Sequence, residues 1–119
     1  MHVLQKVDEQ VNVDSQTNAT ATATLAASGV GFKWRVTGWR ASYSGLAITA
    51  GFRATVTGLE GVTIGRGVNS SDAWDVDLTG PIDGADNATV AISLPAGGIG
   101  AVGDVSIHAY KVPITLTDG

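Results

Sequence analysis

Few side chains in this 119-residue sequence could do covalent or metal chemistry: two histidines, eleven carboxylates and no cysteine. The lack of cysteine removes thiol nucleophiles, disulfides, iron–sulfur clusters and cysteine-held zinc together. A serine nucleophile needs a histidine against it and an acid behind that histidine. The histidines are His2, in a polar opening stretch, and His108, which alternates with Val105, Ile107 and Ala109. In an extended chain that alternation sets His108 on the face opposite the three apolar residues, at a surface or an interface, with Tyr110 beside it. Asp72, Asp75 and Asp77, or Asp83 and Asp86, offer oxygens of the kind calcium takes. Asp75 and Asp77, however, flank Trp74, Val76 and Leu78 as the wet face of a strand does, and Asp83-Gly84-Ala85-Asp86-Asn87 is a turn without a full calcium loop. No metal, no cofactor and no enzymatic activity are expected.

Two glycine-rich stretches invite a nucleotide reading. Gly98-Ile99-Gly100-Ala101-Val102-Gly103 has the letters of the dinucleotide fingerprint, but that motif works by presenting a helix N-terminus to the pyrophosphate. Here the following residues, Asp104 to Tyr110, alternate as a strand, so the stretch reads as a flexible connection. Gly61 to Gly67 lacks the Lys-Ser or Lys-Thr of a phosphate loop and reads as a turn. Seven Lys and Arg, no two adjacent, and a net charge of −4 argue against a nucleic-acid surface. Met1 to Gln10 holds Lys6, Asp8 and Glu9 without an apolar run, which predicts neither a signal peptide nor a membrane span.

The elements that must position these side chains are strands. Glycine is abundant at 16 residues, and the recurrent Thr and Val with few Lys, Glu, Leu and Met favour strands and tight turns over helices. Ala19 to Leu25 alternates Ala with Thr. Lys33 to Ser44 carries Trp34 and Val36 on one parity and Trp39, Ala41 and Tyr43 on the other, which predicts a bulge near Gly38 that returns both sets to the core. Further strands are read at Ala47–Thr57, Val62–Gly65, Trp74–Thr79, Ala88–Leu94 and Val105–Tyr110. Gly80-Pro81 is taken as a turn, and Pro113 demotes the closing segment to an edge. Seven or eight short strands without a helix predict an all-β antiparallel β-sandwich or jelly roll. Trp34 and Trp74 keep parity with apolar neighbours and are expected in the core. Trp39, His108 and Tyr110 are the candidates for a subunit interface or an exposed aromatic site. The first eighteen residues, polar and without glycine, proline or aromatic side chains, are set apart as an N-terminal arm (1–18) to a sandwich domain (19–119). Val3, Val7 and Val11 recur at helical spacing and Val11 and Val13 alternate as in a strand, so its conformation stays open.

The run from Ala21 to Ser44, with its Lys-Trp, Val-Thr-Gly and Ser-Tyr-Ser, resembles the opening of small accessory virion proteins of tailed bacteriophages. Asp77 to Gly84 and Gly103 to Tyr110 are similar to later strands of that family. The resemblance implies a TNF-like jelly-roll homotrimer, made in the host cytoplasm, that sits on the outer capsid surface and bridges major capsid protein subunits as a decoration, or cement, protein. On that reading the arm carries the attachment, through Val3, Leu4, Val7, Val11 and Val13, as a segment that orders on contact. The alternative is a receptor- or carbohydrate-binding head-fibre or tail-tip domain on the same fold. Neither nucleic acid nor membrane is expected as a partner.

Overall fold

The computed structural model describes residues 7–45, 52–68 and 74–114. Alternating side chains and glycine turns give eight strands: β1 (Val7–Thr17), β2 (Ala21–Leu25), β3 (Phe32–Gly45), β4 (Phe52–Leu59), β5 (Val62–Val68), β6 (Trp74–Asp83), β7 (Val90–Leu94) and β8 (Ala101–Pro113). No α-helix occurs among the described residues. The strands form two antiparallel four-stranded sheets, in the orders β1-β8-β3-β6 and β2-β7-β4-β5. The chain is an all-β, two-sheet sandwich. Its pairs β1 with β8, β2 with β7, β3 with β6 and β4 with β5 make one long ribbon folded back on itself, and the pairs β3 with β8 and β4 with β7 lay its parts side by side.

Between the sheets lie Leu25, Trp34, Val36, Val56, Ile92, Leu94 and Ile107, all fully buried. Each such aliphatic side chain contributes about 1.5–3 kcal/mol by leaving water. Trp39 and Trp74 join this core edge to face, with ring centroids 5.5 Å apart. The alanines of β2, Ala21 and Ala23, face inward in the same core, and Thr22 and Thr24 face out.

The bulge expected near Gly38 is present: the register of β3 slips between Val36 and Gly38 against both of its neighbours. Trp34 and Val36 before the slip and Trp39, Ala41 and Tyr43 after it are all buried. A Cβ at Gly38 would lie 2.6 Å from the Val76 carbonyl oxygen, so only glycine fits. On β6 the slip falls between Asp77, opposite Gly38, and Ile82, opposite Val36. Gly80-Pro81 is therefore an irregularity inside a strand rather than a turn. Because β6 is an edge, a proline without an N–H is tolerated there.

Two further expectations are corrected. β8 lies in the middle of its sheet, between β1 and β3, and Pro113 ends the strand rather than marking an edge. Most of the presumed arm is β1, whose residues pair with β8 from Gln10 opposite Ala109 to Thr17 opposite Val102. The inward side chains of β1 are polar because they meet the backbone edge of β2, not the core. Asn12 Nδ2 donates to the Thr24 carbonyl at 2.6 Å, and the Thr22 N–H donates to the Asp14 carboxylate at 2.9 Å. Side chains of one sheet thus occupy the open backbone groups of the other.

Candidate functional site

Alternation along the first sheet leaves one set of side chains pointing away from the core. On β1 these are Val11, Val13 and Ser15; on β8, Asp104, Ser106, His108 and Tyr110; on β3 beyond the bulge, Arg40 and Ser42; on β6, Asp75 and Asp77. The cross-strand register arranges them in rows. One row runs Val13, Ser106, Arg40, Asp75; the next Val11, His108, Gly38, Asp77; a third Ser15, Asp104, Ser42.

Two adjoining depressions lie over these rows. The larger, about 550 Å³, is lined by Val13, Asp14, Ser15, Arg40, Ser42, Asp104, Val105 and Ser106. The smaller, about 450 Å³, is lined by Gly38, Trp39, Arg40, Asp75, Val76, Asp77, Ser106 and His108. Arg40 and Ser106 belong to both, so the two depressions adjoin at these residues. Gly38, the glycine the bulge demands, has no side chain to fill the space between His108 and Asp77.

The two arginines of β3 differ sharply in state. Arg35 grips Asp83 with two parallel hydrogen bonds, Nε at 2.8 Å and Nη2 at 3.2 Å, and Lys33 Nζ reaches the same carboxylate at 2.8 Å. Burial alone would raise the Asp83 pKa, but the hydrogen bonds from Arg35 and Lys33 outweigh it and hold the carboxyl below its ordinary value. The Arg35 guanidinium is raised in turn, chiefly by its hydrogen bond to Asp83. Tyr110, opposite Arg35 on β8, adds to the same cluster. Arg40 is exposed, and its guanidinium has no hydrogen bond or ion pair among the described residues.

The three candidates for an aromatic site are separated: His108 is exposed in the smaller depression, whereas Tyr110, partly buried on the same face of β8, lies opposite Arg35 and lines neither depression. Trp39 is 4% exposed, and the bulge turns its ring into the core against Trp74. Its Nε1 is buried without a hydrogen-bond partner. Among the attachment residues, Val3 and Leu4 lie outside the described residues, and Val7 begins β1. Val11 and Val13 are 57% and 71% exposed on the outer face, and Val13 borders the larger depression. Arg40, Ser42, Asp104 and Ser106 were not singled out in the sequence, although the bulge at Gly38 already sets Arg40 and Ser42 opposite Trp39, Ala41 and Tyr43.

His108, Ser106 and Asp104 share a face of β8 but follow one another at about 7 Å, the two-residue strand repeat, whereas a working triad needs hydrogen-bond contact. Among the described residues no group of three or more His, Asp or Glu could hold a metal ion.

No protein-family model matches the chain, and no curated protein matches it. Among solved structures it is similar to the carbohydrate-binding module TmCBM61 in complex with β-1,4-galactotriose, at 9% identity and a TM-score of 0.39, over 89% of this chain and 88% of that one. The capsid-bridging role is corrected accordingly: the likeness found is to a sugar-binding module and not to a virion cement protein. Of the segment meant to order on a capsid, Val7 to Thr17 is moreover already a strand of the sheet.

Proposed function

We propose that the chain is a non-catalytic binding domain of jelly-roll topology whose outer groove takes a carbohydrate. The strand orders β1-β8-β3-β6 and β2-β7-β4-β5 support the topology, since a doubled ribbon wrapped across two sheets yields them. The observation that carries the functional reading is the unengaged Arg40 guanidinium at the centre of a groove whose other polar groups are carboxylates, hydroxyls and one imidazole. A sugar hydroxyl both donates and accepts. Neighbouring hydroxyls therefore suit a guanidinium fork on one side and a two-oxygen carboxylate on the other. The methyl groups of Val13 offer an apolar patch to the C–H face of a ring. A phosphate backbone would instead meet Asp75, Asp77 and Asp104.

The test is a glycan array followed by calorimetry on wild type and Arg40→Ala. The expected result is a defined set of bound glycans and an affinity loss of tenfold or more in the variant, about 1.4 kcal/mol, at an unchanged melting temperature. An array without binders, or a variant that binds as wild type does, overturns the reading.

A further inference from the structure

Resting on the carbohydrate reading, we infer that the groove takes a neutral, unbranched chain of at least two sugar rings, laid obliquely across the strands with Arg40 at the junction between them. The larger depression is centred on Val105 of β8, opposite Ala41, and the smaller on Trp39 of β3, opposite Ile107, as their lining residues and the register place them. The first draws on β1, β8 and β3 and the second on β8, β3 and β6, so the step between them is one strand across and two residues along. With strands about 4.8 Å apart and two residues spanning about 6.8 Å, the centres lie about 8 Å from each other. That exceeds the width of one pyranose ring, so a single sugar fills one depression and leaves the other empty.

Charge decides the kind of unit. Asp104 borders the larger depression together with Asp14, whose carboxylate is taken by the Thr22 N–H, Asp75 and Asp77 border the smaller, and Arg40 is the one Lys or Arg in the lining of either. A carboxylate or sulfate on the ligand would meet like charge in both halves. Uncharged hydroxyls accept from Arg40 and donate to Asp75, Asp77 and Asp104. Arg40 reaches both halves because its five N–H donors spread in a planar fork.

Calorimetry with β-1,4-linked galactose, glucose and xylose oligomers of one to four units tests this on the full chain. The series that binds gains at least tenfold in affinity from one unit to two. The gain disappears in Arg40→Ala and shrinks in Asp77→Asn, which borders only the smaller depression, while thermal melts of both variants match wild type. The same oligomer carrying a uronic acid at either position binds at least tenfold more weakly. A single sugar that binds as tightly as the longer chains overturns the two-unit groove and leaves the carbohydrate reading standing. Equal binding of the acidic oligomer overturns the neutral ligand. No binding at any length overturns both readings.

Discussion

Arg35 and Arg40 lie on one strand and show alike in the sequence, yet one is spent on Asp83 and the other makes no hydrogen bond or ion pair among the described residues. Residue type and parity show which side chains leave the core; what each then meets depends on the neighbouring strand. Asp83 was read as part of a turn and a weak calcium candidate, whereas it neutralises Lys33 and Arg35. Because its folded pKa lies below the ordinary value, its contribution to stability is present above about pH 4 and is lost as pH falls through the depressed value. Asp83→Asn should therefore be less stable than wild type at pH 7, with the difference shrinking below about pH 4 in denaturant melts. A difference that stays constant over that range would show the ion pairs to be inert. Trp74 was legible as a core residue from its parity with Val76 and Leu78, and it is buried against Trp39. Trp74→Ala should cost about 3–5 kcal/mol, read from the shift in denaturant midpoint; an unchanged midpoint would contradict its place in the core.

At the scale of elements, alternation and the odd parity step were enough to find β2, β3 and β7 and the bulge at Gly38. They failed at β1 for a physical reason. A strand reader assumes that the apolar parity faces in, and on β1 Val11 and Val13 face out while Asn12 and Asp14 face the edge of β2. Polar side chains pointing inward at a sandwich seam look like a solvated tail. The seam also has a pH signature: the Thr22 N–H, followed by Gln16, holds the Asp14 carboxyl below its ordinary value. Protonation as pH falls through that lowered value removes the acceptor. Asp14→Ala should speed hydrogen exchange of the Thr22 amide at neutral pH, and acid should do the same in wild type but not further in the variant. Exchange at Thr22 that is unmoved by the substitution would mean the seam is held by Asn12 alone.

For the whole molecule, the sandwich class was legible because seven or eight short alternating segments without a helical pattern leave few architectures. Strand neighbours were not, since β1 and β8 come from opposite ends of the chain. Deleting residues 1–18 tests that pairing directly. Loss of β1 exposes one side of β8 and the backbone edge of β2, so the melting temperature should fall by more than about 10 °C, or the domain should not fold. A truncated chain with an unchanged melt would return the segment to the status of an arm. The homotrimer was inferred partly from the alanines of β2, which are already used inside one core; a threefold mass by light scattering supports it and a single-chain mass overturns it.

The central place of β8 also governs how the chain is made. Because β8 lies between β1 and β3, the first sheet has no middle until the last described strand has left the ribosome. β1 must wait while β2 to β8 are made with both backbone edges unpaired, the state in which a strand recruits a strand from another chain. Neighbouring ribosomes on one message hold such strands close together. Gln10, Asn12, Asp14 and Gln16 make one face of that waiting strand polar, a poor surface for another chain to pack against, and two of them, Asn12 and Asp14, later close the seam.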